Sequence, residues 1–120
     1  MKQNKVFHRD LKLDNLFLDE NFNVKVGDFG YATSDSVAST YWGTKFYIAP
    51  EITTQRGNLY DASQADCFSF GVILFTLKTI KFPFSKQALK SDKIYKHVAN
   101  NDFDTFWEIH DGHQYDENFK

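Results

Sequence analysis

The hydrophobic positions fall into stretches with different periods. Two short runs, Leu16-Phe17-Leu18 and Val24-Lys25-Val26, flank the polar, turn-prone segment Asp19-Glu20-Asn21-Phe22-Asn23. Strand-forming residues on both sides of a turn predict a hairpin. From Thr33 to Thr44 the chain is rich in Ser, Thr and Ala with no apolar period, which predicts a mobile surface loop. Thr53 to Asn58 reads as a second polar connection. Between Ala65 and Ile80, residues Ala65, Phe68, Phe70, Val72, Ile73, Leu74, Phe75 and Leu77 cover nearly every helical face. That pattern predicts a long helix buried on all sides. Ser63 is its expected N-cap, with Asp66 three residues on beside the amide dipoles of the first turn, and Pro83 stops the pattern. A weaker helix is expected at about Asp92 to Ala99, carrying Ile94, Tyr95 and Val98. The tail, through Phe106-Trp107 to Lys120, mixes aromatic and charged residues and predicts no element. Phe106-Trp107 reads as core or helix contact.

Composition narrows the picture. A chain of 120 residues suits one domain, and thirteen Phe suit a large core. A net charge of −2 and a pI near 6.0 give no reason to expect nucleic acid or an anionic membrane as partner. The single cysteine, Cys67, excludes an internal disulfide and fits a reducing, cytoplasmic compartment. It sits in the apolar helix, where an inert core position is expected. No stretch approaches the roughly 20 apolar residues of a membrane span. The basic start Met1-Lys2-Gln3-Asn4-Lys5 is not followed by the apolar run of a signal peptide.

The chemistry concentrates in His8-Arg9-Asp10-Leu11-Lys12-Leu13-Asp14-Asn15. Two acids, one lysine and one amide in eight residues suit phosphate chemistry on a magnesium nucleotide. Asn15 lies just before the first strand and Asp28 two residues after the second. An antiparallel hairpin brings both to one end, where an amide oxygen and a carboxylate make a small oxygen site for magnesium. Asp10 and Lys12 stand five and three residues before Asn15, close enough to face the same terminal phosphate. A carboxylate there accepts a hydroxyl proton, and an ammonium offsets charge on the moving phosphoryl group.

These residues match the pattern H-R-D-L-K-x-x-N at six positions, and Asp28-Phe29-Gly30 and Ala49-Pro50-Glu51 follow in order. The chain resembles eukaryotic protein kinases, specifically part of their large C-terminal lobe from the catalytic loop to about helix G. The resemblance implies an α+β fold, mainly helical with one short hairpin, across residues 1–120. It implies a serine/threonine kinase using ATP and Mg2+ on a protein substrate. By it, Asp10 is the catalytic base, Lys12 contacts phosphate, and Asn15 and Asp28 hold the metal. Phe17 forms the floor under the adenine, and Ile73 and Leu77 continue the apolar stack below it. Asp66 holds the catalytic loop by its amides, and His8 packs with Phe29 as scaffold. Thr44 after Gly43, with Lys12 two residues beyond the base, fits the serine/threonine type. The stretch from Asp66 through Trp107 looks most like the calmodulin-dependent and AMP-activated group. Arg9 before the aspartate and Thr40 three before Gly43 imply activation by an upstream kinase, with Ser39 the competing site.

Other readings are weaker. Asp19 to Asn23 begins like a calcium loop, but Val24 and Gly30 stand where glycine and a bidentate Glu are needed. His97, His110 and His113 read as surface histidines, not metal ligands. The six glycines form no G-x-G-x-x-G, and the small lobe, its phosphate-binding lysine and the hinge are expected to be absent. Glu51 lacks an obvious partner, since Arg9 and Arg56 are the only arginines. The expectation is therefore a kinase fragment, inactive in isolation, with exposed apolar surface. The alternative is a kinase-derived interaction module without catalysis.

Overall fold

A hairpin needs a turn that reverses the chain, and Asp19 supplies it. In the computed structural model, which describes residues 5–54 and 57–120, its carboxylate accepts from the backbone amides of Asn21 and Asn23 at 2.9 and 2.8 Å. The amide side chain of Asn23 at 3.1 Å and Lys25 Nζ at 3.3 Å complete its neighbours, so the loop consumes the carboxylate that a calcium site would need. Strand β1 (Leu16–Leu18) pairs antiparallel with β2 (Val24–Val26), Leu16 facing Val26 and Phe17 facing Lys25. The period of two packs Leu16 and Val26 against the core and leaves Phe17 exposed. The predicted hairpin has its expected boundaries.

The Thr33–Thr44 stretch is mostly exposed, yet it holds strand β3 (Val37–Ala38). This strand pairs antiparallel with β4 (Tyr60–Asp61), and Phe7 bridges to Thr33. Two-residue strands carry no readable period, so the pairing had no signature. Helix α1 (Pro50–Thr54) occupies the start of the expected Thr53–Asn58 connection. Gln55 and Arg56 lie outside the described residues.

Helix α2 (Ala62–Thr79) begins earlier than the apolar pattern, and its cap is Asp61, not Ser63. The Asp61 carboxylate accepts from the amides of Ser63 and Gln64 at 2.7 and 3.1 Å, because β4 holds the chain extended up to that residue. Ile80, in the left-handed region at φ 57°, closes the helix with its amide on the Thr76 carbonyl. The helix is not buried on all sides. Ala65, Ser69, Val72, Ile73 and Phe75 face inward, while Phe70, Leu74 and Leu77 remain 50%, 47% and 57% exposed. Their spacing of four and three makes one outward stripe, uncovered by the described residues. Cys67 is also exposed, which corrects its reading as inert core. Of the two residues expected in the stack beneath Phe17, Leu77 is exposed and Ile73 is fully buried.

The expected second helix is shorter, α3 (Tyr95–Ala99). Asp92 precedes it as a buried hub whose carboxylate accepts from the amides of Ser85, Lys86, Ile94 and Tyr95. The unassigned tail folds into α4 (Phe103–Ile109), capped by the Asp102 side chain. Phe106 is buried there as expected, and Phe75 stacks on Trp107 and meets Phe106 at a tilt, both at 5.8 Å. His110 is not a surface residue: it is buried, with its ring against Phe75 and Phe106. His97 is half-buried and bonds Asp102 at 2.8 Å; His113 is exposed.

Among the described residues there are thus two small antiparallel sheets and four α-helices, an α+β domain. Two buried clusters flank α2: one of Phe7, Ile48, Ala49, Ile52, Tyr60, Ala62 and Ala65, the other around Leu11, Tyr47, Val72, Ile73, Phe84 and Ala88. Phe68 packs against both. The accessible surface of 7814 Å² exceeds the roughly 6,700 Å² typical of a compact 14 kDa monomer. The outward stripe of α2 belongs to that surplus. No helix among the described residues is long and apolar enough to cross a membrane.

Candidate active site

The site is held from behind by one buried acid. Asp66, in the second turn of α2, accepts from the backbone amide of His8 at 2.7 Å and of Arg9 at 2.8 Å. Burial pushes its carboxyl above the usual carboxylate range, against the opposing pull of those two amides. His8 is wholly buried. Its Nε2 meets the Gly27 carbonyl at 2.9 Å and its Nδ1 accepts from the Asp10 amide at 3.3 Å, which fixes the Nε2–H tautomer. Its ring lies 4.9 Å from that of Phe29. His8 therefore joins the loop to the returning strand of the hairpin, as scaffold.

In front of this frame three side chains close a triangle. Thr44 Oγ1 donates to Asp10 Oδ1 at 2.8 Å. Lys12 Nζ donates to Thr44 Oγ1 at 3.1 Å and stands 3.2 Å from Asp10 Oδ2. The bond to Asp10 raises the Lys12 pKa above its ordinary value, so the ammonium is charged at neutral pH. Asp10 is 5% exposed, which strengthens its interaction with the cation beside it. A hydroxyl, a carboxylate and an ammonium together can move a proton while neutralising charge.

Asn15 and Asp28 reach the same end of the hairpin, because the Gly27 amide donates to the Asn15 carbonyl at 2.9 Å, one step past the Leu16–Val26 pair. Asn15 Nδ2 donates to the Asp10 carbonyl at 2.9 Å, so the amide oxygen is the atom that could face a cation. The Asp28 carboxylate receives only a long 3.4 Å contact from the Gly30 amide among the described residues. Two hard oxygen donors fit magnesium, which takes few protein ligands and completes its shell with phosphate and water. No group of three or more His, Cys, Asp or Glu suited to a metal occurs among the described residues. Asp28 and Arg9 both adopt left-handed backbone, φ 57° and 63°, a local strain of roughly 1–2 kcal/mol each. Phe17 lies across Gly27: a Cβ there would sit 2.7 Å from the Phe17 ring.

Arg9 and Thr40 are not joined. Arg9 Nε donates to the Tyr31 carbonyl at 2.6 Å, while Thr40 is exposed and its carbonyl accepts from the Tyr60 hydroxyl at 3.0 Å. Glu51 lies in α1, with no salt bridge among the described residues. Sequence reasoning missed Ser69, whose hydroxyl donates to the Tyr47 carbonyl at 2.8 Å and ties the Thr44 segment to α2. Its place one helical turn from Asp66 was the available signal. It also missed the Tyr31–Trp42 stack at 4.5 Å.

A family model described as protein kinase domain matches residues 1–119. The chain is 42% identical over 104 residues to CBL-interacting protein kinase 12 of Oryza sativa subsp. japonica, covering 82% of this chain and 18% of that protein. It is 43% identical over 104 residues to CBL-interacting protein kinase 2 of the same organism, covering 82% and 23%. The same identity and length link it to CBL-interacting serine/threonine-protein kinase 12 of Arabidopsis thaliana, covering 82% and 20%. The chain thus spans about a fifth of the length of these relatives. With the loop, the hairpin-end oxygens and the matched span in agreement, this chain belongs to the protein kinase domain family.

Proposed function

We propose that these residues form part of the C-terminal lobe of a serine/threonine kinase that transfers the γ-phosphoryl group of Mg-ATP to a protein hydroxyl. The Thr44–Asp10–Lys12 triangle carries the reading, since Thr44 holds a hydroxyl at 2.8 Å from the Asp10 carboxylate, where an acceptor hydroxyl would be deprotonated. Asp10 serves as general base and Lys12 offsets charge on the terminal phosphate. Asn15 and Asp28 hold magnesium by oxygen. Magnesium, when bound, neutralises phosphate charge. Phe17 supports the adenine. Thr44 belongs to the substrate-facing loop, and His8, Phe29, Glu51 and Asp66 hold the frame.

Thr40 is the proposed phosphorylation site of an upstream kinase. A phosphate there gains charge-assisted bonds to Arg9, which requires Arg9 to leave the Tyr31 carbonyl. In an intact kinase carrying this segment, Thr40→Ala lowers activity. Unchanged activity with phosphorylated Thr40 in the parent overturns that assignment.

The decisive test of the function is labelled phosphate transfer to a serine peptide by an intact kinase carrying this segment. Asp10→Ala reduces turnover by about 10²–10⁴-fold; retention of parental turnover overturns the reading.

A further inference from the structure

A cleft of about 310 Å³ is lined by Lys45, Lys86, Gln87, Leu89, Ser91 and Asp92. Lys45 follows Thr44 directly in the chain, so the cleft adjoins the loop that carries the Thr44 hydroxyl. Its far wall, residues 85–94, is pinned in two ways. Ala88 is buried in the second apolar cluster, and Asp92 gathers the amides of Ser85, Lys86, Ile94 and Tyr95 at 2.8–3.2 Å. Gln87 Nε2 donates to the Tyr41 hydroxyl at 3.2 Å, linking that wall to the loop bearing Thr44. The cleft is therefore preformed.

Its charge is the informative feature. Asp92 is the one acid in the lining, and backbone amides already occupy its carboxylate. Lys45 and Lys86 are exposed and form no ion pair among the described residues. Lys90 and Lys93 add positive charge to the same segment. In a chain of net charge −2, this makes a local cationic concavity at the small end of ligand-site volumes. Two free ammonium groups and a hydroxyl in one cleft suit a carboxylate or phosphate.

Resting on the proposed kinase function, we infer that this cleft selects protein substrates bearing an acidic or phosphorylated side chain within a few residues of the acceptor. Lys45 and Lys86 are its specificity-determining residues, and Asp92 is a positioning residue that holds Lys86 in place.

The test is fluorescence anisotropy of serine peptides with the 120-residue chain. Each peptide carries a single Glu, phosphoserine, Ala or Lys, moved through the positions flanking the acceptor. Glu and phosphoserine peptides bind more tightly than Ala and Lys peptides at one shared position, and the preference weakens as salt rises. Lys45→Glu with Lys86→Glu lowers affinity for the acidic peptides about tenfold and improves it for the Lys peptide. Lys45→Arg with Lys86→Arg retains the acidic preference. Absence of that preference in the parent, or an equal effect of the Glu pair on acidic and neutral peptides, overturns the inference. This readout is binding, so it stands apart from the phosphotransfer test of Asp10. A failure of the one test is therefore distinguishable from a failure of the other.

Discussion

Thr44 lies 34 residues from Asp10 in sequence, yet its hydroxyl donates to the Asp10 carboxylate at 2.8 Å while accepting from Lys12 at 3.1 Å. One hydroxyl thus sets the spacing between an acid and a base-strengthened cation. Thr44→Val removes both bonds, and turnover in an intact kinase carrying this segment falls roughly 10- to 100-fold. Thr44→Ser keeps the hydroxyl and most of the rate. Steady-state kinetics check this; equal rates for Val and Ser would remove Thr44 from the site's geometry.

Gly27 is the one position where a methyl group meets the Phe17 ring, at 2.7 Å. Because Phe17 is more than half exposed, its ring turns away under Gly27→Ala, and the fold loses about 0.5 kcal/mol or less. Nucleotide affinity of the intact kinase should drop while the melting midpoint barely moves. Combining Gly27→Ala with Phe17→Leu should relieve the clash. A full double-mutant cycle measures this coupling, and strict additivity would refute it.

Asp92 governs acid stability of the 85–95 segment. Burial alone would raise its carboxyl, but four backbone amides outweigh burial and hold it below its ordinary 3.8. A depressed folded pKa contributes stability that is complete above the unfolded value and is lost as pH falls through the folded value. Asp92→Ala should cost about 1–3 kcal/mol at pH 6. The difference from the parent should shrink below about pH 4. Urea unfolding at pH 6 and pH 3 provides the measurement; a constant difference contradicts the account.

His110 produces the opposite chemistry with the same direction in pH. Burial lowers its pKa below 6.5, opposed by its bond to the Pro83 carbonyl, and its Nδ1 has no hydrogen-bond partner among the described residues. The unfolded chain therefore binds the proton first. Stability is complete above pH 6.5 and declines as pH falls below it. His110→Phe, packed against Phe75 and Phe106, should flatten this decline between about pH 6.5 and 5. Thermal melts across that range test it, and an unchanged slope would exclude His110 as the titrating group.

The parts legible in the sequence were those encoded locally. The hairpin followed from the strand-forming runs around Asp19, whereas the tie from Asp66 to His8 and Arg9, far off in the chain, was legible only through the resemblance to kinases. What stayed hidden depended on contacts across the chain. The β3–β4 pairing joins residues too few to show a period. The cap moved from Ser63 to Asp61 because a distant strand fixed the preceding backbone. Cys67, Phe70, Leu74 and Leu77 looked buried because an apolar run states what a helix wants to bury, not what it meets. His110 looked exposed because its burial comes from Phe75, 35 residues earlier. The Thr44 triangle belongs to the same class: two motifs supplied its corners, and only the fold closed it.

Helix α2 holds Asp66 against the His8–Arg9 amides and Ser69 against the Tyr47 carbonyl. It therefore works as a ruler with two marks, about 4.5 Å apart along its axis and about 60° apart around it. Both loops of the site read their positions from this one rod. A residue inserted between the marks would turn Ser69 by about 100° away from Tyr47 and misalign acid and hydroxyl. The outer stripe could meanwhile change its amino acids freely without moving either mark. Evolution of this segment is thus constrained in length at residues 66–69 and free in composition along the outer stripe.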